Sequence, residues 1–457
     1  MVTVRNKYTG EEIAEIEDTD LAGAEEALRV AVRAFREVSS MPAYRRRDCL
    51  YSVSEYLRSR EVEFARTISM EAGKPIRYAR KEVRRAEFTI RSSGDEAMRI
   101  HGETVPFDVE PRGEGRFAYF VRVPIGPVLS ITPFNDPLNL VAHKVGPALA
   151  AGNSIINKPT TLAPLSSIRL QEAFGQSGFP DGAFQNVIAG GSSNAVKFLL
   201  GSSEIKKVTF TGGIEAARSL VRAGGIKKYS MELGSNSPVI VFDGSAWREH
   251  LDDIVDAAFE SQGQNCIHAQ RLLVEESIAD EFTDALVERA MGLRVGDPLD
   301  EDTDIGPMIT EGEARRVEEW VMEAEKMGAQ ALTGGRREGA IYMPTVLVDV
   351  PREARVWRDE VFGPVTVVER FRDADEAVGL ANSVPYGLQA GVFTSDLGTA
   401  MRLVERLEYG AVLINDTSDF RVDTMPFGGM KMSGIGREGV RFAVEEMTEI
   451  KLAIFRK

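Results

Sequence analysis

Apolar and polar positions change their period repeatedly along this chain, and each change marks a different kind of element. Residues 1–17 alternate and predict a short hairpin. From Asp20, a candidate N-cap, Ala24, Leu28, Ala31, Val32 and Phe35 fall on one helical face. A second helical region is expected from about 46 to 96, where Leu50, Val53, Leu57 and Phe64 repeat at helical spacing. Its many charges read as a solvated outer face. Over 104–123 the period returns to two. Val105, Phe107 and Val109, then Phe117, Tyr119 and Val121, alternate about Pro111-Arg112-Gly113, which predicts a hairpin. Residues 450–454 alternate in the same way. Alternating apolar strands seek a partner edge, so 104–124 and 445–457 are expected to be oligomerisation strands.

From Pro127 the pattern becomes strand, helix, strand, helix. Short apolar runs at 128–132, 154–157, 184–188, 208–211 and 229–233 are separated by helical stretches at 140–151, 166–176, 195–200 and 215–222. That alternation predicts an α/β fold with a parallel, doubly wound sheet. A second alternation, from 239–242 to 411–415, predicts another α/β domain. The expected division is 1–103 with 125–234 as a dinucleotide-binding domain and 235–444 as a second, catalytic domain. In such sheets ligands bind beyond the carboxyl ends of the strands. The residues there are Pro133-Phe134-Asn135, Lys158-Pro159, Thr211-Gly212-Gly213 and Glu232-Leu233-Gly234.

Composition narrows the partners. The 457 residues carry a formal charge of −15, which argues against a nucleic-acid partner. Two cysteines, Cys49 and Cys266, are too few and too far apart for a disulfide framework or a cysteine zinc cluster, and no metal is expected. The first residues lack a signal peptide's apolar core, and no stretch approaches the roughly 20 apolar residues of a membrane span. A soluble, cytoplasmic protein with no membrane partner is expected.

Each candidate for chemistry has a plain alternative. Cys266 sits in Gly263-Gln264-Asn265-Cys266-Ile267-His268, between a helical stretch and a strand, where a thiol can meet a small molecule. Free cysteine is otherwise a small buried hydrophobe. Thr211-Gly212-Gly213 joins a strand to a helix whose first amides can meet an anion, or is a glycine turn. Lys158 can reach a cofactor's hydroxyls or phosphate, or snorkels to the surface. Glu232 lies among apolar residues, where desolvation would raise its pKa towards that of a base; the alternative is a capping or salt-bridged Glu. Asn135 can donate to an oxyanion, or is a turn residue. The only literal G-x-G-x-x-G, Gly434 to Gly439, follows no predicted strand and leaves too little chain for a βαβ unit.

These residues together resemble a family. Phe134-Asn135-Asp136-Pro137, Asn157-Lys158-Pro159, Phe210-Thr211-Gly212, Met231-Glu232-Leu233-Gly234, Gly263-Gln264-Asn265-Cys266, Glu360-Val361-Phe362-Gly363-Pro364 and Pro426-Phe427-Gly428-Gly429 are similar, in order and spacing, to the NAD(P)-dependent aldehyde dehydrogenase superfamily. The resemblance implies Cys266 as nucleophile, Asn135 with the Cys266 amide as oxyanion donors, and Glu232 as the base that activates water. It implies Lys144 and Glu438 as a supporting pair near the active site. It places NAD or NADP against Thr132, Pro133, Phe134, Lys158, Thr160, Thr161, Thr211, Gly212, Gly213, Leu233, Gly234, Glu360 and Phe362. It also implies a homodimer or homotetramer built through the alternating strands.

Departures bear on specificity. Gly213 stands where the family commonly has Ser, and Ala217 where Gly is frequent, so pyrophosphate contacts are expected to lean on backbone. Thr161 stands where many NAD-preferring members carry Glu, so NADP should be tolerated. Asp136, Asn265, Ile267 and Arg421 are expected to contact substrate. Polar Asp136 and Asn265 favour a short hydroxyaldehyde such as lactaldehyde, glycolaldehyde or glyceraldehyde. The alternative is an anionic aldehyde such as phosphonoacetaldehyde, which Asp136 would repel and Arg421 or Arg122 attract. A cofactor-independent cysteine hydrolase would need His268 or His143 as its base. Water is favoured over coenzyme A as acyl acceptor.

Overall fold

The computed structural model describes residues 1–191 and 193–456. Two large sheets carry the parallel pattern. Across the first run Gly434–Ile435, Lys228–Glu232, Lys207–Thr211, Val128–Thr132, Ile155–Pro159 and Phe184–Asn186. The last five are parallel. Every residue of the three central strands is buried, as apolar runs covered on both faces must be. Period two divides them between two cores. Val128 packs with Leu50, Val53 and Val141 on one face, and Leu129 and Ile131 pack with Ala24, Leu28 and Val196 on the other. The order turns at Val128–Thr132, whose neighbours Ile155–Pro159 and Lys207–Thr211 leave in opposite directions. A crevice therefore opens beyond these carboxyl ends.

The second sheet has seven strands, in the order Gln330–Thr333, Thr345–Val348, Val365–Phe371, Ala269–Glu275, Ser237–Val241, Gln389–Phe393 and Ala411–Ile414. All pair in parallel except Gln330–Thr333. The third sheet is antiparallel: Glu103–Val105, Arg116–Pro124 and Thr448–Arg456, with Arg116–Pro124 in the middle. No described helix is long and apolar enough to cross a membrane.

Some expectations need correction. The helical region at 46–96 is three helices, Ala43–Ser59, Glu61–Ala72 and Ile76–Ala97. Gly73, left-handed at φ 74°, ends the second of them, and Pro75 precedes the third. Phe107 and Val109 leave the hairpin, because Pro106 cannot donate to a ladder, and Val109 is exposed. The chain also leaves the second sheet before residue 444. Gly434–Ile435 pairs antiparallel with Lys228–Glu232 and sets Gly434 opposite Glu232. The G-x-G-x-x-G segment thus closes the edge of the first sheet.

Candidate active site

The loop before Cys266 is held in an unusual backbone. Ser261, Gln262 and Gly263 are all left-handed, at φ 53°, 58° and 64°. A side chain on Gly263 would begin 2.1 Å from the Gly363 carbonyl oxygen, so only glycine fits. The strain at Ser261 and Gln262 is offset by bonds. The Gln262 amide donates to the carbonyls of Gly73 and Pro307 at 2.8 and 2.7 Å, and Gln264 accepts from Ile309 N at 3.0 Å. Past the cysteine, Asn265 Oδ1 accepts from Ile267 N at 3.2 Å, and Ser418 donates to the Ile267 carbonyl at 2.9 Å. Cys266 is therefore fixed at the amino end of Ala269–Glu275.

A cavity of about 360 Å³ opens there, and Asn135, Asp136, Asn265, Cys266, Ile267 and Arg421 all line it. Its charge is largely internal to the protein. Asp136 is bridged by Lys74 and by Arg85 Nη1, the latter at 3.3 Å. Burial alone would raise the Asp136 carboxyl, but Lys74 and Arg85 overcome it and hold it below the carboxylate range. Arg85 also pairs with Asp423 at 2.8 Å, and Asp423 with His143 at 2.8 Å. Arg421 lies 3.7 Å over the Phe427 ring and pairs with Glu438 at 3.0 Å, its buried Nε without a partner. At the cavity mouth stand Asp253, Asp256, Glu260, Asp416 and Asp419, against Lys81. The Asn135 amide makes no hydrogen bond among the described residues. Burial pushes the Cys266 thiol up to about 12, helped by Glu360, Glu232 and Asp136 and opposed by Arg421.

Two buried carboxyls nearby behave oppositely. Glu232 is 3 % exposed, and neither of its oxygens has a hydrogen-bond partner. Burial, then the charge of Glu438, pushes its pKa well above the carboxylate range. Glu438 is equally buried but accepts from Lys144 Nζ at 2.6 Å, and the same amine donates to Thr211 Oγ1 at 2.8 Å. Burial would raise Glu438, yet Lys144 and Arg421 hold it well below the ordinary range. Direct pairing with Lys144 and Arg421 outweighs burial at Glu438, whereas at Glu232, which the same cations reach only at a distance, burial wins.

The crevice of the first sheet holds a second space, a groove of about 540 Å³. Thr132, Pro133, Lys158, Thr160, Thr211, Gly212 and Gly213 line it. Lys158 is 8 % exposed and, among the described residues, makes no hydrogen bond or ion pair; burial lowers its pKa. Gly213 caps the helix Ile214–Gly224 with no side-chain bond to its amides. Thr161, Leu233, Gly234, Glu360, Phe134 and Phe362 lie outside the groove lining. The rings of Phe134 and Phe362 meet edge to face at 5.8 Å.

The sequence profile of the aldehyde dehydrogenase family matches residues 1–453. The chain belongs to the aldehyde dehydrogenase family. Among curated relatives, this aldehyde dehydrogenase is 43 % identical to aspartate-semialdehyde dehydrogenase 1 of Pseudomonas canavaninivorans, over 99 % of this chain and 96 % of that one. It is 43 % identical to 3-sulfolactaldehyde dehydrogenase of Priestia megaterium, over 99 % and 94 %. It is 36 % identical to the lactaldehyde dehydrogenase of Methanococcus aeolicus, over 99 % and 97 %. Aldehyde dehydrogenase 21 from Physcomitrella patens, solved with the reaction product succinate, superposes with a TM-score of 0.97 at 40 % identity, over 100 % of this chain and 95 % of that one. Glyceraldehyde-3-phosphate dehydrogenase GapN from Methanocaldococcus jannaschii, complexed with NADP, gives 0.95 at 36 %, over 100 % and 99 %.

Against this geometry, several readings of the aldehyde dehydrogenase sequence change. Arg122 is remote from the cavity: it sits on Arg116–Pro124 and donates to Thr448 Oγ1 at 3.0 Å. Ala217 is buried against Met231 and Leu233 and does not line the groove. His143 and His268 line neither space, and burial holds His268 at about 4 and His143 below its usual value. A histidine-activated hydrolase has no base here. The sequence reading missed Lys74, Glu82 and Arg85. Their only signal was charge on helical positions that the pattern assigned to solvent, yet Lys74 and Glu82 are buried and paired at 2.6 Å.

Proposed function

We propose that this aldehyde dehydrogenase oxidises a short polar aldehyde to its carboxylic acid with NAD or NADP, using Cys266 as nucleophile. The observation that carries the reading is Glu232: a buried carboxyl with both oxygens unpartnered is costly unless it serves chemistry. The groove fits a dinucleotide. It lies at the switch point of the sheet, offers uncapped helix amides to a pyrophosphate, and carries a buried, unpartnered Lys158.

Cys266 sulfur attacks the aldehyde carbon as its thiol proton leaves to solvent through the cavity, Arg421 being the cation that eases the thiolate. The free Asn135 amide and the Cys266 backbone N–H receive the oxyanion. A bound nicotinamide supplies the hydride acceptor that leaves a thioester on Cys266. Glu232 then takes a proton from water, which attacks the thioester, frees the acid and restores the thiol. Glu438, pinned by Lys144 and Arg421, is a fixed negative charge that keeps Glu232 basic.

A neutral hydroxyaldehyde suits the cavity best. Six carboxylates and three cations line it, so an anion meets more carboxylates than cations at the mouth, while a hydroxyl finds donors and acceptors. The lactaldehyde-acting relative supports this reading. An anionic aldehyde is the second reading. Arg85 and Arg421 favour it, and Lys74 removes the objection that Asp136 would repel it. The sulfolactaldehyde-acting relative and the succinate complex point the same way. The antiparallel arm exposes Phe117, Val121, Ile450, Leu452, Ile454 and Phe455, which supports a homo-oligomer closed through it.

An aldehyde panel read by absorbance of the reduced dinucleotide tests the proposal. Glycolaldehyde and lactaldehyde should turn over best, and Cys266→Ala should give none while still binding dinucleotide. Activity confined to phosphonates, sulfonates or carboxylates replaces the first reading by the second; turnover by the alanine variant ends both.

A further inference from the structure

We propose that Gln270 is a positioning residue that fixes Glu360 for the dinucleotide and thereby sets cofactor affinity. The proposal rests on the proposed dinucleotide function and on the expectation, from the family resemblance, that Glu360 lies against the cofactor. It goes beyond that reading by naming what places Glu360.

Three segments interlock here. Gln270 stands on Ala269–Glu275, four residues after Cys266, and is 1 % exposed. Its amide nitrogen donates to the carbonyls of Val356 and Asp359 at 2.9 and 2.8 Å. Its amide oxygen accepts from Val361 N at 2.8 Å. One side chain thus grips the backbone on both sides of Glu360. Asn236 adds bonds to the carbonyls of Trp357 at 2.7 Å and Asp359 at 3.2 Å, and is itself held by Arg271 Nε at 2.7 Å. The Glu360 carboxylate then accepts from Ser235 N at 2.8 Å. A side chain on Gly234 would begin 2.5 Å from the other carboxylate oxygen, so the fit is already closed on that side.

Without Gln270, the buried Val356 carbonyl and Val361 N–H lose their partner, the Asp359 carbonyl keeps only Asn236 at 3.2 Å, and the segment that carries Glu360 and Phe362 can settle elsewhere. Phe362 already holds a left-handed φ of 48°, a conformation that persists only when its surroundings impose it. The three bonds end on Val356, Asp359 and Val361, and none is made to Cys266, Glu232 or Asn135. Loss of Gln270 should therefore weaken dinucleotide binding more than it slows chemistry once the cofactor is saturating.

Calorimetric titration of the full-length protein with NAD and NADP decides the matter, with melting temperature and kcat at saturating dinucleotide as companion readouts. Gln270→Glu keeps the acceptor for Val361 N but turns both donors into an oxygen facing two carbonyls. Gln270→Met keeps the length and removes all three bonds. Both variants should bind dinucleotide about tenfold or more weakly, with kcat within about threefold of wild type and aldehyde KM unchanged. Wild-type affinity in either folded variant overturns the proposal, even if its melting temperature falls. If neither variant folds, Asn236→Asp, which removes the companion amide donor while keeping an acceptor for Arg271, must weaken binding in the same manner; unchanged affinity there overturns the proposal too. Wild-type protein that binds neither dinucleotide instead removes the cofactor reading on which it stands.

Discussion

The cavity around Cys266 and the groove of the first sheet handle charge in opposite ways. The cavity around Cys266 is lined by three cations and six carboxylates, and its inner members are tied to one another: Asp136 to Lys74 and Arg85, Arg421 to Glu438. The groove of the first sheet is lined by Lys158, Lys197 and, among the described residues, no carboxylate and no partner for Lys158. A pocket that completes its own ion pairs needs no charge from its ligand. A pocket that leaves a buried amine unpaired gains when the ligand brings the anion. The groove therefore suits a polyanionic cofactor, and the cavity a neutral polar substrate.

The sharpest break in this pattern is Glu232, a buried carboxyl with no hydrogen-bond partner among the described residues. Glu232→Gln should lower steady-state kcat by about 10²–10⁴-fold while leaving a stoichiometric burst of dinucleotide reduction, because acylation of Cys266 precedes the step that needs the base. A variant that turns over normally transfers the role of base to another group. The same substitution has a signature in stability. The folded Glu232 carboxyl titrates above its unfolded counterpart, near 4.3, so the native state holds the proton longer. Its contribution is complete below the unfolded pKa and is lost as pH rises towards the folded one. Removing the carboxyl should flatten that loss, measurable as a smaller fall in melting temperature from pH 5 to pH 8.

On the groove side, Lys158→Ala should weaken NAD and NADP binding by about 10- to 100-fold, the range for a charge-assisted hydrogen bond. Aldehyde KM should hold, since Lys158 does not line the cavity. With Thr161 outside the groove and no carboxylate in its described lining, NADP should be accepted alongside NAD. Comparing kcat/KM for the two dinucleotides checks this, and strong rejection of NADP would show that a repelling group has been overlooked.

How much of this contrast was legible in the sequence depended on whether a residue's neighbours are local. Thr132, Lys158 and Thr211 follow from period and topology alone, because strand ends at a switch point must converge. The loop at Gly263 to Ile267 was marked by its polarity, but its placement was not. Cys266 lies at the amino end of its strand, and the rule that picks carboxyl ends would have passed over it. Least legible were the ion pairs. Glu82 and Arg85 sit on a helix rich in Arg and Glu and Lys74 in the turn just before it, and nothing in a helical period says which of these charges turn inward to meet one another, Asp136 and Asp423. Gln270 is hidden for the same reason, since its partners are 86 to 91 residues away in sequence.

The smallest expected effect tests the mouth of the cavity, where the pairing gives out. Asp419 is pushed up to about 7, by burial first and then by the charge of Glu260. Below pH 7 it is neutral, and above it adds a negative charge where substrate enters. Discrimination against anionic aldehydes should therefore sharpen as pH rises from 6 to 8. The readout is kcat/KM for an anionic aldehyde divided by that for glycolaldehyde, a ratio in which titration of Glu232 and Cys266 cancels. A fall of about two- to fivefold is expected, as for one charge near a partly wet surface. Asp419→Asn should hold the ratio flat at its low-pH value. A ratio that falls equally in the variant would assign the effect to Asp256, whose carboxyl burial also raises, instead. A ratio that rises with pH would mean that Arg85 and Arg421, not the acidic rim, decide which aldehyde enters.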